Sequence, residues 1–260
     1  MTDTGSPARG HDDFTGRAVL VTGGTKGLGR GLAAAFHDAG AEVLVCARRA
    51  PESALPDRVQ FVPADLREAD AAAAVVDAAV ERFGRLDVVV NNAGGSPEAE
   101  AATVSPRFVD KIIALNLLAP FYVAQRANTV MQGQDGGGVI VNIGSLSGHR
   151  PSPGTAAYGA AKAGLANLTR SLAMEWAPKV RVNLLTVGYL ETEDSLEHYG
   201  GAEGAAAVGR AVPMGRLAHP ADVAAACLFL ASPAAGFVTG ADLAVDGGGE
   251  PPTFLSARRG

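Results

Sequence analysis

Short runs of apolar residues recur along the chain, and longer Ala-rich stretches with polar residues at helical spacing lie between them. Ala18-Val19-Leu20-Val21 is the first run, closed by glycines. Val43–Val45, Val59–Val62, Leu86–Val90, Val139–Ile143, Val180–Leu185 and Ala241–Val245 follow. Most are nearly continuous in apolar residues, the pattern of strands covered on both faces. The stretches between them read as helices. Gly27–Ala39 is stopped by Gly40, Glu68–Phe83 by Gly84, and Thr155–Ala177 by Pro178, and Pro220–Ala231 follows late in the chain. Ser105-Pro106 opens another helix, with Ser as N-cap and Pro in the first turn. It runs to about Met131, with a bend predicted at Pro120, which has no N–H to donate. The Gly- and Ala-rich segment Glu191–Val212 stays ambiguous between helix and loop.

Strands separated by helices make β-α-β units, and right-handed crossovers stack them into layers. The expected fold class is α/β: a Rossmann-type doubly wound parallel sheet of about seven strands in a three-layer α/β/α sandwich. The 260 residues show no repeat and no linker. One domain over residues 14–250 is expected, with 1–13 and 251–260 as tails.

Composition narrows the class. Hydrophobic residues make up 47% and charged residues 19%, enough apolar material for a full core. The net charge of −5 is spread without long runs, which argues against a nucleic-acid partner. Cys46 and Cys227 are too few and too far apart for a disulfide framework and read as small buried hydrophobes. The five histidines have no metal-like spacing, so no metal is expected. No run of eighteen apolar residues appears, so no membrane span is expected. The polar N-terminus lacks the regions of a signal peptide, and a cytoplasmic protein is expected.

Thr22-Gly23-Gly24-Thr25-Lys26-Gly27-Leu28-Gly29 follows the first strand and opens the first helix. Glycines there let the backbone turn sharply and approach a pyrophosphate, and the helix N-terminus offers free N–H groups. The spacing is Gly-x-x-x-Gly-x-Gly. With this loop the chain resembles the short-chain dehydrogenase/reductase family, from about Thr15 to Gly248. Asn91-Asn92-Ala93-Gly94 matches the family's motif after the fourth strand, and Asp65 its adenine-contacting acid. The resemblance implies a cofactor set: Gly23, Thr25, Lys26, Gly27, Leu28 and Gly29 in the loop; Arg48 and Arg49; Asp65 and Leu66; Asn92, Ala93 and Gly94. After the sixth strand it adds Val187, Gly188, Leu190 and Thr192.

An acid at the end of the second strand favours NAD, and a base favours the 2′-phosphate of NADP. The family's acid falls seven residues past the glycine ending the first helix, where this chain has Ala47. Arg48 comes next, and Lys26 is a second cation at a position used by NADP-preferring members. Guanidinium and ammonium together suit a phosphate dianion. NADP(H) is therefore expected, with NAD(H) as the alternative.

Tyr158 and Lys162 are four residues apart in a helical stretch and so share a face. Tyrosine's pKa of about 10 makes it a poor base, and a shift of about three units needs about 4 kcal/mol from a neighbour such as an ammonium. Ser145 lies thirteen residues before Tyr158, behind a strand. The resemblance implies four catalytic residues: Asn116, Ser145, Tyr158 and Lys162. Tyr158 moves the proton and Ser145 orients the reacting oxygen. Lys162 holds the nicotinamide ribose and, with the positive nicotinamide ring, lowers the Tyr158 pKa; both residues thus also belong to the cofactor set. The backbone of Asn116 helps hold a water that links Lys162 to solvent.

Val187 stands where the family usually has proline, which is expected to loosen that loop. Leu146, His149 and Pro153 are candidate pocket residues, His149 reading better as surface than as catalytic. Tyr189, His198 and Tyr199 sit in the expected substrate lid. The resemblance further implies a homo-oligomer, a tetramer or else a dimer, acting on a small-molecule carbonyl or alcohol. A 3-oxoacyl-thioester reductase using NADPH is the first reading. An NAD-dependent hydroxysteroid or polyol dehydrogenase is the alternative, and a catalytically silent nucleotide-binding protein is the third.

Overall fold

The computed structural model describes residues 13–193 and 195–252. The tails expected at 1–13 and 251–260 therefore lie outside the described residues, apart from Asp13, Pro251 and Pro252. Seven parallel strands form one sheet: β1 (Ala18–Thr22), β2 (Glu42–Ala47), β3 (Gln60–Pro63), β4 (Val88–Asn91), β5 (Gly138–Ile143), β6 (Val180–Val187) and β7 (Asp242–Val245). Their order is β3-β2-β1-β4-β5-β6-β7, so the direction of winding reverses between β1 and β4. A crevice opens at such a switch point, at the C-terminal ends of the strands.

The helices are α1 (Gly27–Asp38), α2 (Ala69–Phe83), α3 (Pro106–Ile113), α4 (Ala119–Gln132), α5 (Ala156–Trp176), α6 (Ser195–His198), α7 (Gly201–Ala211) and α8 (Pro220–Ala231). Alternate side chains of each strand enter opposite layers. Val19, Val21, Val43 and Val45 pack with Leu32 and Phe36 of α1 and Val223 and Cys227 of α8. Leu20, Leu44 and Val89 pack on the other face with Val76 of α2, Val123 of α4 and Leu172 of α5. This two-sided burial explains why the strands read as continuous apolar runs.

The bend predicted at Pro120 takes a different form. Ala114–Leu118 is a π-helical turn, and the Ala119 N–H reaches back to the Ala114 carbonyl. Pro120 then falls in the first turn of α4, where no N–H is required. The loop expected to be loosened by Val187 is instead part of a longer strand. Val187 pairs with Val245 and is buried, because unlike proline it leaves a regular strand end. The ambiguous Glu191–Val212 segment holds α6 and α7. Pro106–Gln132 is long and apolar enough to cross a membrane by length and composition, yet α4 packs on α2 and lays Val123, Ala127 and Met131 into the core.

Candidate active site

The cleft at the switch point is tied together by two short side chains. Thr22 Oγ1, at the end of β1, accepts from the N–H groups of Asn92 and Ala93, both at 3.0 Å. Asn92 Nδ2 returns bonds to the carbonyls of Thr22 at 2.9 Å and Gly23 at 3.2 Å. The glycine loop and the loop after β4 are thereby fixed against each other. A Cβ at Gly29 would fall on the Gly23 carbonyl and the Asn92 amide, so this approach requires glycine.

A cavity of about 330 Å³ opens over this cradle. Gly23, Thr25, Lys26, Gly27, Leu28 and Gly29 line it, with Arg48, Asp65 and Leu66 toward one end. Asn92, Ala93, Gly94, Leu190 and Thr192 also line it, whereas Tyr158, Lys162, Val187 and Gly188 of the expected set do not. The residues fit an anionic dinucleotide: the Gly27 N–H at the start of α1 already takes an anionic oxygen, from the Glu193 carboxylate at 3.1 Å.

Arg49 lies outside this cavity. It lines an adjoining one of about 430 Å³ with Lys26, Arg30 and Arg48. Arg30 is engaged with the Ser53 hydroxyl and, at 2.6 Å, with the Ala54 carbonyl, while Arg48 and Arg49 are exposed. Asp65 is clamped by Arg67, which bonds both carboxylate oxygens. That guanidinium holds the Asp65 carboxyl below its ordinary range, and Arg48 adds a smaller pull.

The second half of the site joins β5 to α5. Ser145 follows β5 as N-cap of a single 3₁₀ turn, Leu146–Gly148, and its Oγ accepts from the Ser147 N–H at 3.2 Å. Helix α5 brings Tyr158 toward it and buries Lys162 one turn further on. Lys162 Nζ lies 5.6 Å from the Tyr158 ring centroid and donates to the Ile143 carbonyl at 2.7 Å.

Burial pulls the Lys162 amine down to about 8. It also pushes the Tyr158 phenol up, and a hydrogen bond with Ser145 offsets part of that rise. The expected lowering of Tyr158 by Lys162 is thus reversed in the protein alone. The reason is desolvation: burial disfavours the phenolate itself, and the Lys162 ammonium is turned to the Ile143 carbonyl.

Asn116 sits in the π turn, fully buried. Its Oδ1 accepts from the Gly95 N–H at 2.9 Å, and its Nδ2 donates to the carbonyls of Gly95 at 3.0 Å and Ile112 at 2.9 Å. A Cβ at Gly94 would lie 2.7 Å from Asn116 Oδ1 and 3.5 Å from Lys162 Nζ, so Gly94 separates the dinucleotide cleft from both side chains. It is the side chain of Asn116, rather than its backbone alone, that ties this loop to the helix.

Ser145 and Tyr158 open into a third cavity, of about 560 Å³, which Val187 and Gly188 also line. Leu146, Pro153, Tyr189, His198 and Tyr199 line it as expected. His149 does not: its ring reaches Thr186 Oγ1 at 2.9 Å and Asp242 at 3.0 Å. Sequence reasoning missed Thr22, Leu115, Glu98 and Arg150. A threonine closing the first strand was the one available signal. Leu115 enters the cleft by way of the π turn, and the others arrive from distant loops.

A doubly wound sheet with a glycine-floored cleft at its switch point is the architecture of dinucleotide-binding proteins. A family model described as enoyl-(acyl carrier protein) reductase matches residues 23–250. The chain is 36% identical over 249 residues to 3beta-hydroxysteroid dehydrogenase 1 of Eggerthella lenta, covering 92% of this chain and 95% of that one. It is 33% identical over 240 residues to 2-dehydro-3-deoxy-D-gluconate 5-dehydrogenase of Escherichia coli K12, covering 90% and 95%. The ligand-free aldohexose dehydrogenase of Thermoplasma acidophilum superposes with a TM-score of 0.83 at 30% identity, over 89% of this chain and 93% of that one. The chain belongs to the short-chain dehydrogenase/reductase family. It is an NAD(P)-dependent oxidoreductase acting on CH–OH groups.

Proposed function

We propose that the protein interconverts a ketone and a secondary alcohol with NADP(H), using Tyr158, Ser145, Lys162 and Asn116. The observation that carries this reading is the convergence of Tyr158 and Ser145 on one cavity beside the glycine-floored cleft, with Lys162 Nζ 5.6 Å from the Tyr158 ring centroid. A bound nicotinamide would supply the hydride chemistry at the reacting carbon. Ser145 donates to the reacting oxygen and fixes its position. Tyr158 gives that oxygen a proton in reduction and removes one in oxidation. Lys162, held by the Ile143 carbonyl, places a positive charge beneath the Tyr158 ring. Asn116 keeps the loop over Lys162 in register.

The dinucleotide is held by the cradle of Gly23, Gly27 and Gly29, with Asn92, Ala93 and Gly94 on the opposite wall and Asp65 at the adenine end. Arg48 and Lys26, with Arg49 next to them, are the cations for a 2′-phosphate, and Ala47 leaves no acid there for the NAD ribose. Val187, Gly188, Leu190 and Thr192 are assigned to the carboxamide end. A homotetramer in the cytoplasm is part of the same reading.

Of the two substrate readings, the secondary alcohol has the better support. The relatives above are named for a hydroxysteroid, a sugar acid and an aldohexose, whereas the matched family model is named for an enoyl thioester and none is named for a 3-oxoacyl thioester. Steady-state rates with NADPH and NADH, for the wild type and Arg48→Ala, test the cofactor choice. Loss of charge-assisted bonds to a phosphate should lower the NADPH:NADH ratio of kcat/KM by about 10- to 100-fold. An unchanged ratio, or a wild type confined to NADH, overturns it.

A further inference from the structure

The cavity over Ser145 and Tyr158 has an uneven charge. Arg150, its guanidinium, is already matched: Nε sits against the Glu250 carboxylate, and Nη2 reaches the Tyr189 hydroxyl at 3.3 Å, which in turn donates to Glu250. Glu98, which lines the same cavity, is not matched. Its carboxylate makes no hydrogen bond or ion pair with any described residue, and the same holds for the hydroxyl of Ser147 nearby.

Glu98 is nonetheless placed. The Ala99 N–H donates to the Gly154 carbonyl at 2.8 Å, joining the two loops. Gly154 leaves the carboxylate its room, since a Cβ there would stand 2.7 Å from Glu98 Oε1. The Tyr189 and Tyr199 rings meet edge to face at 6.1 Å and form an apolar flank.

A carboxylate without an internal donor accepts hydrogen bonds from whatever enters, and it repels carboxylates and phosphates. Hydroxyl-bearing molecules meet both requirements, with C–H faces for the tyrosines. We propose that the substrate is a neutral polyhydroxylated compound, and that Glu98 accepts a hydrogen bond from a hydroxyl next to the reacting carbon. This rests on the ketone and secondary-alcohol reading above and leaves its chemistry unchanged. In oxidation the hydroxyl proton would pass to the Tyr158 phenolate while the carbinol hydrogen would leave with its electron pair to a bound oxidised nicotinamide, giving the ketone.

Three matched alcohols test it, with NADP⁺ and with NAD⁺: cyclohexanol, 1,2-cyclohexanediol and 2-hydroxycyclohexanecarboxylate. Acetoacetyl thioester with NADPH or NADH serves as a fourth probe. The diol should exceed cyclohexanol in kcat/KM, and the carboxylate should be the poorest of the three. Glu98→Gln should cut the diol:cyclohexanol ratio by roughly ten- to a hundredfold, as expected for one bond to a charged acceptor. Glu98 is exposed and without internal partners, so folding should survive. The proposal is overturned by cyclohexanol equalling the diol, by the carboxylate or the thioester being preferred, or by an unchanged ratio in Glu98→Gln. Those results leave the oxidoreductase reading standing. No turnover of any probe with either nicotinamide overturns both.

Discussion

The side chain of Asn116 and the backbone of Gly95 form a two-way pair: Oδ1 accepts from the Gly95 N–H at 2.9 Å and Nδ2 donates to the Gly95 carbonyl at 3.0 Å. The same Nδ2 also bonds the Ile112 carbonyl. Asn116 lies in the π turn and Gly95 in the loop after β4, where a Cβ at the neighbouring Gly94 would stand 2.7 Å from Asn116 Oδ1 and 3.5 Å from Lys162 Nζ. Asn116→Ala would remove three hydrogen bonds, two to the part-buried Gly95 backbone and one to the buried Ile112 carbonyl, each contributing about 0.5–1.5 kcal/mol. A net loss of about 2–4 kcal/mol is expected, read as a lower urea midpoint at constant slope. A midpoint equal to that of the wild type would mean the clamp contributes nothing.

Lys162 predicts a pH dependence of stability. Its amine titrates at about 8 in the folded chain and at 10.5 when unperturbed, because of burial. The unfolded chain therefore holds the extra proton between those values, and folding stability rises with pH across that window. Below about pH 8 the buried charge is a full cost. Lys162→Met removes this titration while the other groups cancel in the comparison. Between pH 7 and 10, wild-type stability should gain on the variant by about 2–3 kcal/mol in the protein without nucleotide. A difference that stays flat, or moves the other way, contradicts the assignment.

The glycine cradle predicts a contrast between two substitutions. Gly29→Ala drives a methyl into the Gly23 carbonyl and the Asn92 amide, and Gly136→Ala meets no atom within 4 Å. The first should raise the nucleotide Kd at least about tenfold, through a displaced loop worth more than about 1.4 kcal/mol. The second should leave it within about twofold, as surface changes do. Equal titration curves for the two variants would show that the close approach at Gly29 is not needed.

Tyr158 predicts opposite pH limbs for the two directions. Reduction uses the protonated phenol and should fall as pH rises, whereas oxidation uses the phenolate and should rise. In the protein without nucleotide, burial pushes the phenol up. Rates in both directions with parallel pH dependence would point to another proton carrier.

The parts of the site that were legible in the sequence are local. Gly23 to Gly29 lie within one loop, and Tyr158 and Lys162 are joined by one helical turn, so spacing alone carries the geometry. Strands such as Val88–Asn91 were legible because burial on both faces leaves an unbroken apolar run. The π turn at Ala114–Leu118 was not, since an i→i+5 turn leaves no mark on residue choice beyond the proline that follows it. The extension of β6 through Val187 was missed because its partner, Val245, is far away in the chain. The cavity walls were hidden for the same reason. Glu98 meets Gly154, and Arg150 meets Glu250, only once the sheet has assembled.

The central claim is that Tyr158 carries the proton. Tyr158→Phe keeps the ring over Lys162 and removes only the hydroxyl. Turnover and nucleotide Kd, measured on the same preparation, test it most directly. In this variant kcat should fall at least about a thousandfold, within the range of general acid–base catalysis, while Kd stays within a few-fold. Turnover within tenfold of the wild type, with Kd unchanged, would contradict it.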